Sequence, residues 1–231
     1  MQRFARLLLL ASILLNVFLI FKFVNHHYIN MNNIEYVDTR VNVYVQTKSC
    51  KRDFDKIQQL FPNAMAIADE PCTRREHIFK SYIEEIDKSH MRQRYAYKYI
   101  ETLKICQQGD KMLCMILEDD VLFINNNETI WNNIALNTLA MFANENTFWD
   151  CSTRRLWFGR GSGVDKTLCR IYSTERLPTF IQCLEGYLKS TPDTQETGID
   201  VLINRCQVDL GINQKRFLLV NHSGQKSLLG Q

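Results

Sequence analysis

Three consecutive carboxylates, Glu118-Asp119-Asp120, follow directly on a six-residue apolar run, Met112-Leu113-Cys114-Met115-Ile116-Leu117. Gly109-Asp110 turns the chain into that run. A short apolar stretch bounded by a turn and by charge predicts a central strand buried on both faces. In open α/β sheets ligands bind beyond the carboxyl ends of the strands. Three adjacent carboxylates placed there repel one another, and a divalent cation relieves the repulsion. Hard ions such as Mg²⁺ or Mn²⁺ take oxygen ligands and keep positions open for substrate phosphates. The triplet therefore predicts a cation facing a diphosphate group, whose charge it would neutralise as that group departs. A solvated acidic turn or a calcium site would use the same residues.

Two further places carry chemistry. Thr197-Gly198-Ile199-Asp200-Val201-Leu202-Ile203 reads as the start of a short helix, where a carboxylate is stabilised in its charged form. That suits Asp200 to accept a proton from a hydroxyl, and it would serve equally as a helix cap. Gly159-Arg160-Gly161-Ser162-Gly163 frees the backbone at Gly161 and Gly163 to approach a sugar or diphosphate, with Arg160 beside it.

The elements that must position these residues alternate in type. Val41 to Thr47 has the period of two expected of a strand, and Ala64 to Ala68 reads as a second, buried one. Asp53 to Leu60 reads as a helix between them. Glu76 to Gln107 is helical in pattern, with Tyr95, Tyr99, Leu103 and Cys106 forming one stripe and Ser89-His90 as a possible interruption. Thr129 to Asn144 reads as a helix, and Leu156 to Phe158 and Leu168 to Ser173 as strands. Thr174 to Lys189 and Ile199 to Cys206 read as helices, and Arg216 to Val220 as the last strand. Strands alternating with helices predict an α/β sheet.

The chain has 231 residues. Residues 1–6 read as a cytosolic tail, 7–24 as a transmembrane signal anchor, 25–39 as a short polar stem, and 40–231 as one luminal domain. At ~1.5 Å per residue the apolar segment covers roughly 27 Å, close to the ~30 Å of a bilayer core. Arg3 and Arg6 favour a cytosolic N-terminus, and the large residues after the segment disfavour cleavage as a signal peptide. All eight cysteines lie beyond the anchor, which predicts disulfides in an oxidising compartment; spacing alone assigns no pairs. Sequons at Asn127 and Asn221 fit a luminal chain. Lys+Arg 28 against Asp+Glu 25, mixed along the chain, gives no basic stripe of the kind that tracks nucleic acid.

Met115-Ile116-Leu117-Glu118-Asp119-Asp120-Val121 resembles the acidic strand-end motif of GT-A glycosyltransferases. Val220-Asn221-His222-Ser223-Gly224-Gln225-Lys226-Ser227-Leu228 is similar to the C-terminal motif of two families, the Golgi GPI-N-acetylgalactosamine transferases (post-GPI-attachment factor four) and the N-acetylglucosaminyltransferases IV. The helix from Tyr95 to Cys106 and the segment from Gly159 to Asp200 resemble the first of these more. The resemblance implies a GT-A-like, Rossmann-like single domain behind an N-terminal transmembrane helix in the Golgi or ER membrane. It implies transfer of a sugar, an N-acetylhexosamine, from a UDP-sugar to a glycan or glycolipid acceptor. It further implies Asp120 and His222 as ligands of Mn²⁺ or Mg²⁺, Glu118 and Asp119 contacting metal, ribose or diphosphate, and Asp200 as the base of an inverting transfer. The chain departs from the GPI-modifying family in lacking an internal pair of apolar segments. Two rivals stand beside this reading: a collagen- or lipooligosaccharide-type galactosyltransferase, which also uses an acidic strand end, and a non-catalytic, membrane-anchored lectin-like or calcium-binding module.

Overall fold

The computed structural model describes residues 37, 39–47, 54–71, 76–78, 91–124, 130–135, 146–152, 168–190 and 198–222. The segment read as a membrane anchor lies outside these. No helix among the described residues is long and apolar enough to cross a membrane.

Eight strands form one sheet: β1 (Val41–Thr47), β2 (Met65–Ala68), β3 (Glu76–Ile78), β4 (Leu113–Glu118), β5 (Val121–Phe123), β6 (Thr147–Ser152), β7 (Cys169–Ser173) and β8 (Asn213–His222). The helices are α1 (Phe54–Leu60), α2 (Met91–Gln108), α3 (Leu177–Ser190) and α4 (Ile199–Asp209), and residues 130–135 are also helical. The sheet order is β3-β2-β1-β4-β7-β6-β8-β5. β1, β2, β3 and β4 run parallel, β7 runs antiparallel to both β4 and β6, β8 runs parallel to β6, and β5 runs antiparallel to β8. All strands except β5 and β7 thus end at the same edge.

Strand periodicity divides the core. Val43, Val45, Leu113, Met115 and Leu117 face a layer containing Phe54, Ile57 and Ile134, while Tyr44, Cys114 and Ile116 face Tyr99, Leu103, Phe180, Leu184 and Leu202 of α2, α3 and α4. Val37 also joins the first layer. A strand covered on both faces has no polar side to alternate with, which is why β4 reads as a continuous apolar run.

Several elements differ from the sequence expectation. Glu76–Ile78 is not helical: its backbone pairs with Ala66–Ala68 as an edge strand, and α2 begins at Met91. β5 and β6 carry no readable strand signal, because β5 has three residues and Asp150 breaks the apolar run of β6. The strand expected at Leu156 to Phe158 lies outside the described residues. β8 extends beyond Arg216–Val220 in both directions. α4 ends where Gly211 takes a positive φ of 62°; Ile212 N then donates to Gln207 O at 2.8 Å, a helix stop that favours glycine.

Disulfides join Cys106 to Cys114 and Cys183 to Cys206, tying α2 to β4 and α3 to α4, while Cys151 and Cys169 are buried thiols. Tyr99 and Tyr172 share a buried hydroxyl–hydroxyl bond of 2.8 Å. Burial pushes the Tyr172 phenol up to about 12, with Arg170 pulling against it. Between pH 10 and 12 the unfolded chain releases this proton while the folded chain keeps it, so stability falls as pH rises. In denaturant titrations the wild type is expected to lose about 2–3 kcal/mol more over this window than Tyr172→Phe. Equal losses would show that Tyr172 does not hold its proton.

Candidate active site at the carboxyl edge of the sheet

In the strand order 3-2-1-4, the chain connects outward from β1 toward β3 and then returns to β4 on the other side. The crevice between β1 and β4 is therefore a topological switch point, the place where α/β sheets bind ligands. Gln46 and Thr47 end β1 there, and Glu118 ends β4 opposite Gln46. Asp119 N donates to Gln46 O at 3.1 Å, folding the acidic turn across the crevice. Asp119 and Asp120 are 6% and 4% exposed, so a pair of neighbouring carboxylates is largely withdrawn from water.

Hydroxyl groups orient the carboxylates. Thr47 Oγ1 donates to Asp119 Oδ2 at 2.6 Å, and Tyr95 OH donates to Glu118 Oε1 at 2.8 Å. Beyond β2, Asp69 Oδ1 lies 3.2 Å from Lys98 Nζ and 3.7 Å from Arg94. Lys98 Nζ also donates to Thr47 O at 2.6 Å. Burial pulls the Lys98 ammonium below its ordinary range, with Asp69 and Asp119 working against that pull. One turn further along α2, Thr102 accepts from Gln46 Nε2 at 2.6 Å and donates to Lys98 O at 2.9 Å. A single helix face, three- and four-spaced through Tyr95, Lys98 and Thr102, thus secures the ends of β1, β2 and β4.

The residues anticipated from sequence fall in three places. Glu118, Asp119 and Asp120 occupy the end of β4 and the turn after it. Val121 then opens β5 and pairs with His222 at the end of β8, so the backbone brings His222 alongside the acidic turn although a hundred residues separate them. The His222 side chain is outside the described residues. Gly161, Gly163 and Arg160 are outside them as well; β6 ends and β7 begins at this same edge.

Asp200 lies in the first turn of α4, after Gly198 as N-cap, and its charge is among those that act on Arg170. Arg170 is 1% exposed. Its backbone stands opposite Ile116 on one side and Asp150 on the other. Burial alone would lower the guanidinium's pKa, but Tyr172, Tyr99, Asp150 and Asp200 more than offset it and raise it. Asp150 in turn accepts from Ser152 N and Oγ at 3.0 and 2.6 Å and from Gln214 Nε2 at 3.2 Å, with Arg216 Nε at 3.5 Å. This network lies on β7, β6 and β8, beside the crevice.

Among the described residues no group of three or more His, Cys, Asp and Glu side chains is assembled to hold a metal ion by itself. The donor chemistry nonetheless suits a hard cation. Mg²⁺ in particular is held by one or two carboxylates with substrate phosphates completing the shell, rather than by an all-protein cage. The site roles of Thr47, Asp69, Tyr95, Lys98, Asp150 and Arg170 are not read from the sequence, which places Tyr95 only in a helical stripe. A charged Lys98 in step with Tyr95 and Thr102 was the one available signal, since a lysine in a buried helical stripe needs a partner.

Fold and edge together define a Rossmann-like α/β domain with a carboxylate-lined crevice. No protein-family model matches the chain, and no curated protein does. Two solved structures are similar in layout. A glycosyltransferase involved in the glycosylation of the major capsid of PBCV-1 has a TM-score of 0.49 at 9% identity, over 80% of this chain and 96% of that one. A CMP:2-keto-3-deoxy-manno-octonic acid synthetase complexed with CTP has a TM-score of 0.39 at 11% identity, over 81% of this chain and 92% of that one. Neither likeness is strong enough to assign an activity.

Proposed function

We propose that this protein is a glycosyltransferase that moves a sugar, an N-acetylhexosamine, from a UDP-sugar to a glycan or GPI-glycolipid acceptor, anchored in the Golgi or ER membrane as a single-pass type II protein. The observation that carries the reading is the acidic turn Glu118-Asp119-Asp120 at the β1/β4 switch point, with His222 brought beside it by the β5–β8 register. Asp120, with Glu118 and His222, would hold Mn²⁺ or Mg²⁺, which when bound neutralises charge developing on the diphosphate. Asp119, aimed by the Thr47 hydroxyl, contacts the donor's ribose or diphosphate. Gly161 and Gly163 bring backbone up to the same groups. Asp200 takes the proton of the acceptor hydroxyl as its oxygen bonds to the sugar's anomeric carbon and the bond to the diphosphate breaks, inverting the anomeric centre. Its place in the first turn of a helix favours the ionised form this role requires.

The full chain in detergent, offered a panel of UDP-sugars, is expected to release UDP in the presence of Mn²⁺ and to do so much more slowly with chelator. Absence of UDP release from every donor, in a folded preparation that contains Mn²⁺, would overturn the assignment.

A further inference from the structure

We infer that Lys98 is the positioning residue of the acidic edge, a buried cation that locks the ends of β1 and β2 to α2 and, through the Thr47 hydroxyl, sets where Asp119 points. The inference rests on the donor-binding reading of Asp119 given above.

Lys98 is 4% exposed, and its Nζ reaches two acceptors on adjacent strands, Thr47 O at 2.6 Å and Asp69 Oδ1 at 3.2 Å. β1 lies between β2 and β4 in the sheet. The ammonium therefore grips the middle strand at its last residue, and the side chain of that same residue grips Asp119, 2.6 Å away on the far side. A buried ion pair is a poor way to gain stability, since a well-packed apolar side chain of similar size does as well or better. A methionine would fill the path of the lysine stem. What it would lose is the hold on the Thr47 carbonyl and on Asp69. Arg94, also close to Asp69, has a side chain 49% exposed and contributes little as a surface pair. The remaining link is Thr102, which bonds both Gln46 and the Lys98 carbonyl and keeps α2 in register with β1. Each contact in the chain Asp69, Lys98, Thr47, Asp119 is directional, so a change at its first member moves its last.

The test is UDP binding in the presence of Mn²⁺, measured calorimetrically on the full-length protein together with thermal unfolding. Lys98→Met and Thr47→Val are each expected to weaken UDP by about tenfold, the range seen when an outer-shell partner of a ligand is removed. The double variant is expected to be no weaker than either single one, and Thr47→Ser, which keeps the hydroxyl, is expected to restore binding. If Lys98→Met lowers the unfolding temperature but binds UDP as tightly as the wild type, Lys98 is only a structural ion pair and the inference fails. Multiplicative losses in the double variant would also sink it, because the two residues would then act separately. Should the wild type bind no UDP, the donor reading is what fails. The Lys98 inference is then decided by unfolding alone: coupling between Lys98→Met and Asp119→Asn that vanishes with Thr47→Val supports it, and absence of coupling overturns it.

Discussion

Asp120→Asn is expected to lower kcat/KM for UDP-sugar transfer on the order of 10³-fold, the scale of losing one preorganised electrostatic contact to a departing group. The substitution changes two atoms' chemistry and almost no volume. Asp120 is buried in a turn whose backbone is held by β4 on one side and by β5 pairing with β8 on the other. The thermal midpoint is therefore expected to move by no more than about 2 °C. The combination discriminates between readings of the site. A calcium-binding module would lose calcium and stability together, whereas an enzyme loses turnover with its fold intact. Unchanged turnover would remove Asp120 from the mechanism whatever the fold does.

Asp200→Asn has the second large expected effect, a fall in kcat of about 10²- to 10⁴-fold, the usual contribution of a positioned general base. Donor affinity is expected to stay within about twofold, since a base that takes the acceptor's proton acts in the chemical step and not in donor binding. A loss expressed mainly in donor KM, or no loss at all, would remove Asp200 from the role of base. Removing a charge from the first turn of a helix costs about 0.3–1 kcal/mol through the macrodipole alone, and here the buried Arg170 would lose a counter-charge as well.

How much of this could be read before the fold was known varied by residue. β4 was legible because a strand covered on both faces is a nearly continuous apolar run, and its end was marked by three consecutive charges, the first of which, Glu118, is the strand's last residue. The stripe through Tyr99, Leu103 and Cys106 was legible because helical spacing repeats within a few residues. β6 was not: its burial is complete, but Asp150 sits within it, and a carboxylate is tolerated there because Ser152 donates to it locally while Gln214 and Arg216 become its partners only after β6 and β8 have met. Glu76–Ile78 was misread as helix because an edge strand of three residues is held by backbone pairing to β2, which leaves no trace in side-chain periodicity.

The sequence of the acidic triplet and the apolar run before it determined by themselves that a buried strand ends there in charge, since local composition suffices for that. Which strand lies beside it, where the strand order reverses, and that Val121 pairs with His222 are non-local facts. They depend on backbone hydrogen bonds between segments a hundred residues apart, to which every residue type except proline contributes alike. The Lys98 bridge belongs to the same class. A lysine on a helix is ordinarily a solvated charge, and only the packing of α2 over β1 and β2 turned it into a buried cation facing Asp69 and the Thr47 carbonyl.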